Sequence, residues 1–386
     1  MGYKTLLSGQ SFQFDCVREV LAKANEEKSG DILAGVAAAS ALERIAAKEV
    51  LSNMLLEDLR EHPAVDYDKD EVTRLNQDSL NEVVYGSIRR WTVGQLREWI
   101  LSYDTGEEDL RRVSRGLTAE MVAGVAKLMT NLDLVYAASK IRVPAHCNTT
   151  IGLRGTLATR LQPNHPTDDV EGITASLFEG LSYGCGDALI GLNPVKDSAA
   201  SVGDILRRFD EVKRRFEIPT QICVLAHITT QIEAVKQGAP TDLIFQSIAG
   251  SEAGNLAFGF NTDTIREAQD LLRRRGTGTG PNVLYFETGQ GSELSSGAHF
   301  GADQVTMEAL RFPVLLAPLG LHRAGVPVRQ PPGHPRRAGG PLYGQAFRGA
   351  HGLRLLLYQP HDRRAKRHRK PQPAAGGRRG QLHPGG

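Results

Sequence analysis

Cysteine is scarce and scattered: the 386-residue sequence has Cys16, Cys147, Cys185 and Cys223, and no two of them form a Cys-x-x-Cys pair. That spacing excludes a zinc knuckle and a disulfide framework, and it suits a reducing compartment. Apolar runs are short. None reaches the roughly 18 residues that a membrane-spanning helix needs. The N-terminal stretch MGYKTLLSGQSFQFD has no apolar core of the secretory kind, and position 6 is Leu where a myristoylation signal has Ser or Thr, so neither signal is expected. No Gly-x-Gly-x-x-Gly follows a strand pattern and no Gly-x-x-x-x-Gly-Lys-Ser/Thr occurs, so dinucleotide and P-loop chemistry are unsupported. His227 and His299 are not spaced as metal ligands.

Acid is missing from one part of the chain only. Residues 310–386 hold 15 of the 46 Lys and Arg but a single acid, Asp362, together with 11 of the 19 prolines and 13 of the 41 glycines. The net charge of +2 therefore divides into −12 for residues 1–309 and +14 for residues 310–386. By composition the second part reads as a basic arm without a core of its own, of the kind that binds nucleic acid.

Residues 16–140 read as helices. DILAGVAAASALERIAAKEVLSNML (31–55) carries apolar residues at helical spacing, with Asp31 after Gly30 as its N-cap. Residues 79–104 and 118–141 continue the pattern, the latter capped by Thr118. From about residue 147 short apolar runs alternate with amphipathic stretches. Strands are expected within 149–164 and at 187–195, 221–227, 242–250 and 282–290, with helices at 168–184, 204–218, 229–238 and 262–276. Strands that are apolar throughout, separated by single helices, argue for a parallel sheet covered by helices, either a barrel or a doubly wound sheet. The runs end in polar residues, Asn193, His227, Gln246 with Ser247, and Glu287. A barrel gathers such strand ends at one mouth, and that favours the barrel, although any one of these residues could simply cap a helix.

Glu287, at the end of LYFE, is the best candidate for a buried carboxylate. It could meet a cationic amine, act as an acid or base, or form a structural ion pair. GQGSELSSGAHFGA (289–302) is rich in small residues, so its backbone could approach a large flat or phosphate-bearing ligand, or it could be a plain loop.

The strings VLAKANEEKSGDILAGVAAAS, RLQPN, GLNPV, VLAHITTQIEA, LIFQSIAGSE and LYFETGQGSELSSGAHFGADQVTMEA resemble the heavy (large) chain of ethanolamine ammonia-lyase across residues 1–309. The resemblance implies a (β/α)8 TIM barrel, here with about five strands, and an adenosylcobalamin radical enzyme that converts ethanolamine to acetaldehyde and ammonia. It implies a light-chain partner in a hetero-oligomer, and a cytoplasmic location, in some bacteria within a microcompartment. Residue by residue, Arg160, Gln162 and Asn193 are implied as substrate contacts, and Glu287 as the carboxylate holding the ammonium. Arg160 and Glu287 are the implied catalytic pair. Pro194, Gln246, Ser247 and Ser295 are implied cobalamin contacts. The Asp-x-His-x-x-Gly corrinoid motif is absent from the sequence, in keeping with a cobalamin that keeps its own base on cobalt. The division that follows is a helical region at 1–146, a partial barrel at 147–309 and a basic tail at 310–386.

The family's sequence continues through stretches such as IGPEYLYD and FMGKLSG. HRAGVPVRQ (322–330), written as CAT CGG GCC GGA GTA CCT GTA CGA CAG and read one base later, gives IGPEYLYD. LYGQAFRG (342–349) gives FMGKLSG by the same shift, and two further segments follow in order. The tail is thus expected to be an out-of-frame translation beginning near Leu310, with nucleic-acid binding the alternative. Lacking the later strands, the chain is expected to leave the inner face of its sheet uncovered, to fold poorly beyond the helical region and to turn over no ethanolamine. Asp362 falls where the family has a substrate aspartate, but its neighbours His361, Arg363 and Arg364 lack any apolar run that could aim it. Asp362→Ala should therefore leave ethanolamine binding unchanged by calorimetry. Loss of binding in that variant alone would overturn the frameshift reading.

Overall fold

The computed structural model describes residues 2–288 and 292–315, without the side chains of Ser292 and Ser295. Readings that fall on residues 316–386, Asp362 among them, lie outside the described residues.

The chain opens with a hairpin that the helical reading of this region did not include. Strands β1 (Tyr3–Leu7) and β2 (Gln10–Phe14) pair antiparallel, and Ser8 and Gly9 turn between them with φ of 50° and 79°. Two positive φ values in a two-residue loop match the twist of the flanking strands. Thr118 caps the helix Ala119–Lys127 as expected. Asp31 does not cap a long helix. It lies buried within the short helix Ser29–Leu33, accepting from Asn25 Nδ2 (2.7 Å) and from the backbone N–H of Gln304 (2.8 Å). The cap belongs to Ser40, which accepts from Glu43 N and starts Ala41–Asn53. The other long helical readings also divide, at Thr92 and Thr130, whose hydroxyls start new helices. A break of a few residues barely disturbs apolar periodicity, so periodicity alone fuses neighbouring helices.

The second half follows the expected alternation. After a short antiparallel pair, β3 (Ala145–His146) and β4 (Thr150–Ile151), come β5 (Arg160–Leu161), β6 (Leu189–Leu192), β7 (Ile222–Val224), β8 (Ile244–Ser247) and β9 (Leu284–Glu287). Helices Val170–Ser182, Ala199–Arg215, Ile228–Lys236 and Thr262–Arg275 separate successive strands, the last preceded by Glu252–Ala257. The parallel strands form two ladders, β5-β6-β7 and β8-β9. This is a mixed α/β arrangement of small sheets, and no closed ring is present among the described residues.

Side chains join the two ladders. Gln231 donates to the carbonyls of Ala226 (2.6 Å) and Phe245 (2.7 Å) and accepts from Phe245 N (3.0 Å). Gln246 accepts from Ile228 N (3.0 Å), and Asp242 from Ile222 N (2.9 Å). Leu243 N reaches Ile222 O at 3.3 Å. All three side chains are buried, and they pair two strand N–H groups and one helix-start N–H that would otherwise be left unpaired in a dry place.

Alternation along the strands makes two faces. Ile190, Leu192, Ile222 and Val224 pack with the helices, whereas Leu189, Cys223, Leu243 and Phe245 cluster on the other face with Tyr285 and Cys147. This inner face was expected to stand open. It is filled by its own side chains and closed at one end by the segment 145–151. His146 N donates to Asn282 Oδ1 (2.8 Å), Asn148 N and Thr149 N to Gln221 Oε1, Thr149 Oγ1 to Asp187 O, and Cys147 Sγ contacts Asp242 O. Those partners sit at the starts of β6 to β9, so the segment is a floor beneath the strands. A Cβ on Gly280 would stand 2.4 Å from His146 O, so glycine is required for this close approach.

Helix Gln304–Val314 continues through Leu310, where the composition begins to change, and Leu310 and Val314 are fully buried in it. Ala119 and Ala123 of the helical region share its apolar cluster with Ile232 and Leu271 of the α/β half. Two buried charge clusters fix this helix. Lys127 donates to Asp303 Oδ2 and Thr306 Oγ1, both at 2.7 Å. Arg311 meets Glu293 through two nitrogens and Glu308 at 2.9 Å. Burial pushes the Lys127 ammonium below the ordinary lysine range, and Asp303 opposes that shift. Lys127→Met should leave Asp303 charged and unpaired in the core and destabilise the chain by about 3–5 kcal/mol, read from urea unfolding. Adding Asp303→Asn should recover part of the loss.

Candidate active site

The C-terminal ends of the five parallel strands gather the polar residues singled out in the sequence. Arg160 lies on β5 and Gln162 two residues beyond it, on the same face by alternation. Their side chains are bonded, Arg160 Nη2 donating to Gln162 Oε1. Asn193 follows β6 and is exposed, in step with the inner-facing Leu189 and Gly191. Ser247 and Glu287 are register partners on β8 and β9, and Ser247 Oγ donates to Glu287 Oε2 at 3.4 Å. Phe245 and Tyr285 form the pair below them, with ring centroids 5.5 Å apart.

Arg160 Nη1 donates to the hydroxyl of Tyr285 at 2.8 Å. β5 and β9 are the first and fifth strands in order. In a flat sheet four spacings would separate them by about 19 Å. An arginine and a tyrosine cannot bridge that distance together, so the strands curve into an arc that brings their inner faces towards each other. The basic Arg160 and the acidic Glu287 therefore face the same inner side of the arc, whose floor is residues 145–151.

The loops around this mouth are held by side-chain acceptors passed from one loop to the next. Asn164 Oδ1 accepts from Asn193 N (3.0 Å), and Asp168 accepts from Val195 N (2.8 Å) and Lys196 N (2.7 Å). Asp197 accepts from His227 N (3.1 Å). Asp168 sits at φ 57°, a conformation that aspartate tolerates better than most residues. His227 is a structural cap. Its Nε2 faces the Phe258 carbonyl at 2.7 Å and so carries the proton, which leaves Nδ1 to accept from Thr229.

Gln246 stands apart from the other candidates. Its side chain is buried at the junction of β7 and β8, with Oε1 on Ile228 N and Nε2 donating to Ser247 O (2.9 Å). Pro194 follows Asn193 at the rim and is half-buried. The side chain of Ser295 lies outside the described residues.

A family model described as Ethanolamine ammonia lyase large subunit (EutB) matches residues 12–316. The chain belongs to this family. The large subunit of ethanolamine ammonia-lyase from Escherichia coli K12 is 53% identical over 312 residues, which cover 81% of this chain and 69% of that protein. The Salmonella typhimurium large subunit matches to the same extent. The family is one of carbon–nitrogen lyases, and the nucleic-acid alternative finds no support in these likenesses. The family match runs past Leu310 to residue 316, in step with the buried helix that ends at Val314.

Tyr285, Asn164 and Asp168 were not among the residues singled out in the sequence. Tyr285 is two positions from Glu287 in LYFE, so strand alternation alone would have put it on the same face. Asn164 and Asp168 carry a weaker signal, an Asn and an Asp in the loop after a strand. Asp168→Gly keeps the positive φ at no steric cost and removes both acceptors. Amide exchange at Val195 and Lys196 should then accelerate at least about tenfold, while Asn193, held by Asn164, should change less.

Proposed function

We propose that the mouth of the arc binds ethanolamine, with Glu287 taking the ammonium and Arg160, Gln162 and Asn193 taking the hydroxyl. The observation that carries this reading is the shared inner face. Residues 160, 162, 193, 247 and 287 fall in phase at the ends of four strands, with a guanidinium at one side and a carboxylate at the other. Ethanolamine is a small cation bearing one hydroxyl, so a carboxylate suits one end and Arg and amide donors suit the other. Ser247 donates to Glu287 and holds its carboxylate while leaving lone pairs for the ammonium.

Adenosylcobalamin is the cofactor that the family resemblance implies. When bound, it supplies the radical that starts the reaction, and the protein positions substrate and excludes water. The rim offers apolar surface to a large flat ring, with Val195 after β6 and Leu256 after β8 both more than half exposed. Pro194 and Ser247 stand at that rim and fit a corrinoid contact. Gln246 fits less directly, because its amide already holds Ile228 N and Ser247 O. Its contribution would come through the turn into helix Ile228–Lys236. The relatives are named as large subunits, and a small-subunit partner is the corresponding proposal for this chain. No described helix is long and apolar enough to cross a membrane. A cytoplasmic or microcompartment location rests on the resemblance alone.

We also infer that the tail is an out-of-frame translation beginning near Leu310. The family match ends at residue 316, and the one-base shift restores family-like stretches in order further on. The coding DNA around that position decides it directly.

The binding reading is tested by calorimetry with ethanolamine. Glu287→Gln keeps the shape and removes the charge, and a charge-assisted contact is worth about 1.5–3 kcal/mol. Affinity should fall at least about tenfold. Equal binding by parent and variant would leave Glu287 a structural residue, and no binding by the parent would remove the substrate assignment from this chain.

A further inference from the structure

We propose that Tyr285 is a positioning residue that fixes the Arg160 guanidinium across the mouth of the arc. The proposal rests on the reading of Arg160 as a contact for the substrate hydroxyl. The main-chain setting of Arg160 constrains it little, because β5 is a two-residue strand at the edge of its ladder and Arg160 is exposed. A long side chain in such a place has many rotamers open to it. Two contacts narrow them. Gln162 takes one terminal nitrogen along the same strand, and the Tyr285 hydroxyl takes the other from the far side of the arc. A guanidinium is planar, so fixing both terminal nitrogens fixes the direction of its remaining N–H donors.

Tyr285 is itself well held. It pairs in register with Phe245 on β8, and the two rings pack at a tilt of 54°. Burial raises the pKa of its phenol, and the nearby Arg160 opposes that shift. A phenol that accepts from arginine can still donate its own proton, so the pair offers the mouth a guanidinium edge and a hydroxyl together. Glu287 is the next residue on the same face of β9. One strand therefore carries both the proposed ammonium partner and the anchor of the proposed hydroxyl partner.

The experiment uses the full chain with 13Cζ-tyrosine labelling and the variants Tyr285→Phe, Arg160→Gln and Arg160→Lys. Tyr285→Phe identifies the Tyr285 signal and keeps the ring against Phe245. In Arg160→Gln that signal should titrate at a clearly higher pH, because the opposing charge is gone. In Arg160→Lys, which keeps the charge without the fork, much of that rise should be absent. Ethanolamine calorimetry is the second readout. Tyr285→Phe should weaken binding by about tenfold in the parent and by far less in the Arg160→Gln background. A Tyr285 titration unmoved by Arg160→Gln overturns the proposal whatever ethanolamine does. Additive losses in the double variant overturn it too. If the parent binds no ethanolamine, the substrate reading fails for this chain, and the titration alone decides whether Tyr285 anchors Arg160.

Discussion

The arc depends on the junction between β7 and β8. Two ladders of parallel strands meet there, and a few buried side chains do the work of a continuous ladder. Gln231 and Asp242 supply acceptors to the backbone N–H groups of Phe245 and Ile222, and Gln246 supplies one to Ile228 at the start of the next helix. Asp242 is further held by Lys213 (2.6 Å) and by Thr277 (2.6 Å), so its charge is matched where water is excluded. These groups add to the backbone bond from Leu243 N to Ile222 O and to the apolar cluster that spans both sheets. Across this junction Arg160 on the first strand reaches Tyr285 on the fifth.

The two ends of the arc are built differently, and the difference suits a binding site. At the starts of the strands, residues 145–151 bond to four successive strands and fill the space between them. Burial there pushes the Cys147 thiol up to about 11, so it stays protonated and inert. At the other end the loops are held by Asn164, Asp168 and Asp197, which accept from backbone N–H groups of the neighbouring loops. Loops tied to one another in this way favour defined geometry for a small ligand. The last loop is held differently again. Glu293 accepts from Gly250 N (2.6 Å) while pairing with Arg311, so the loops after β8 and β9 are tied to the helix packed on the N-terminal region.

The placement of several candidate site residues was legible because strands alternate and end in order. Asn193, Ser247 and Glu287 terminate apolar runs, and that pattern carries to the mouth of a parallel arc without knowledge of contacts. Gln246 shows the limit. It ends the same run as Ser247, but one residue's difference in phase turns it from the mouth to the junction of the ladders. Asp31 shows a second limit. An aspartate after a glycine before an apolar run reads as a cap, yet its partners are the nearby Asn25 and the N–H of Gln304, 273 positions away.

The alternation of strand and helix, the residues at each strand end and the family to which the chain belongs are all readable along the chain. These follow from local periodicity and from long shared strings, which need no tertiary information. The tertiary structure decided which polar groups face one another, because that depends on curvature and on contacts between residues far apart in the chain. Tyr285 meeting Arg160, Gln231 joining two ladders and Asp303 meeting Lys127 are separated by 125, 14 and 176 positions. No local pattern encodes such meetings. They arise when buried donors and acceptors must all be satisfied within one packed core.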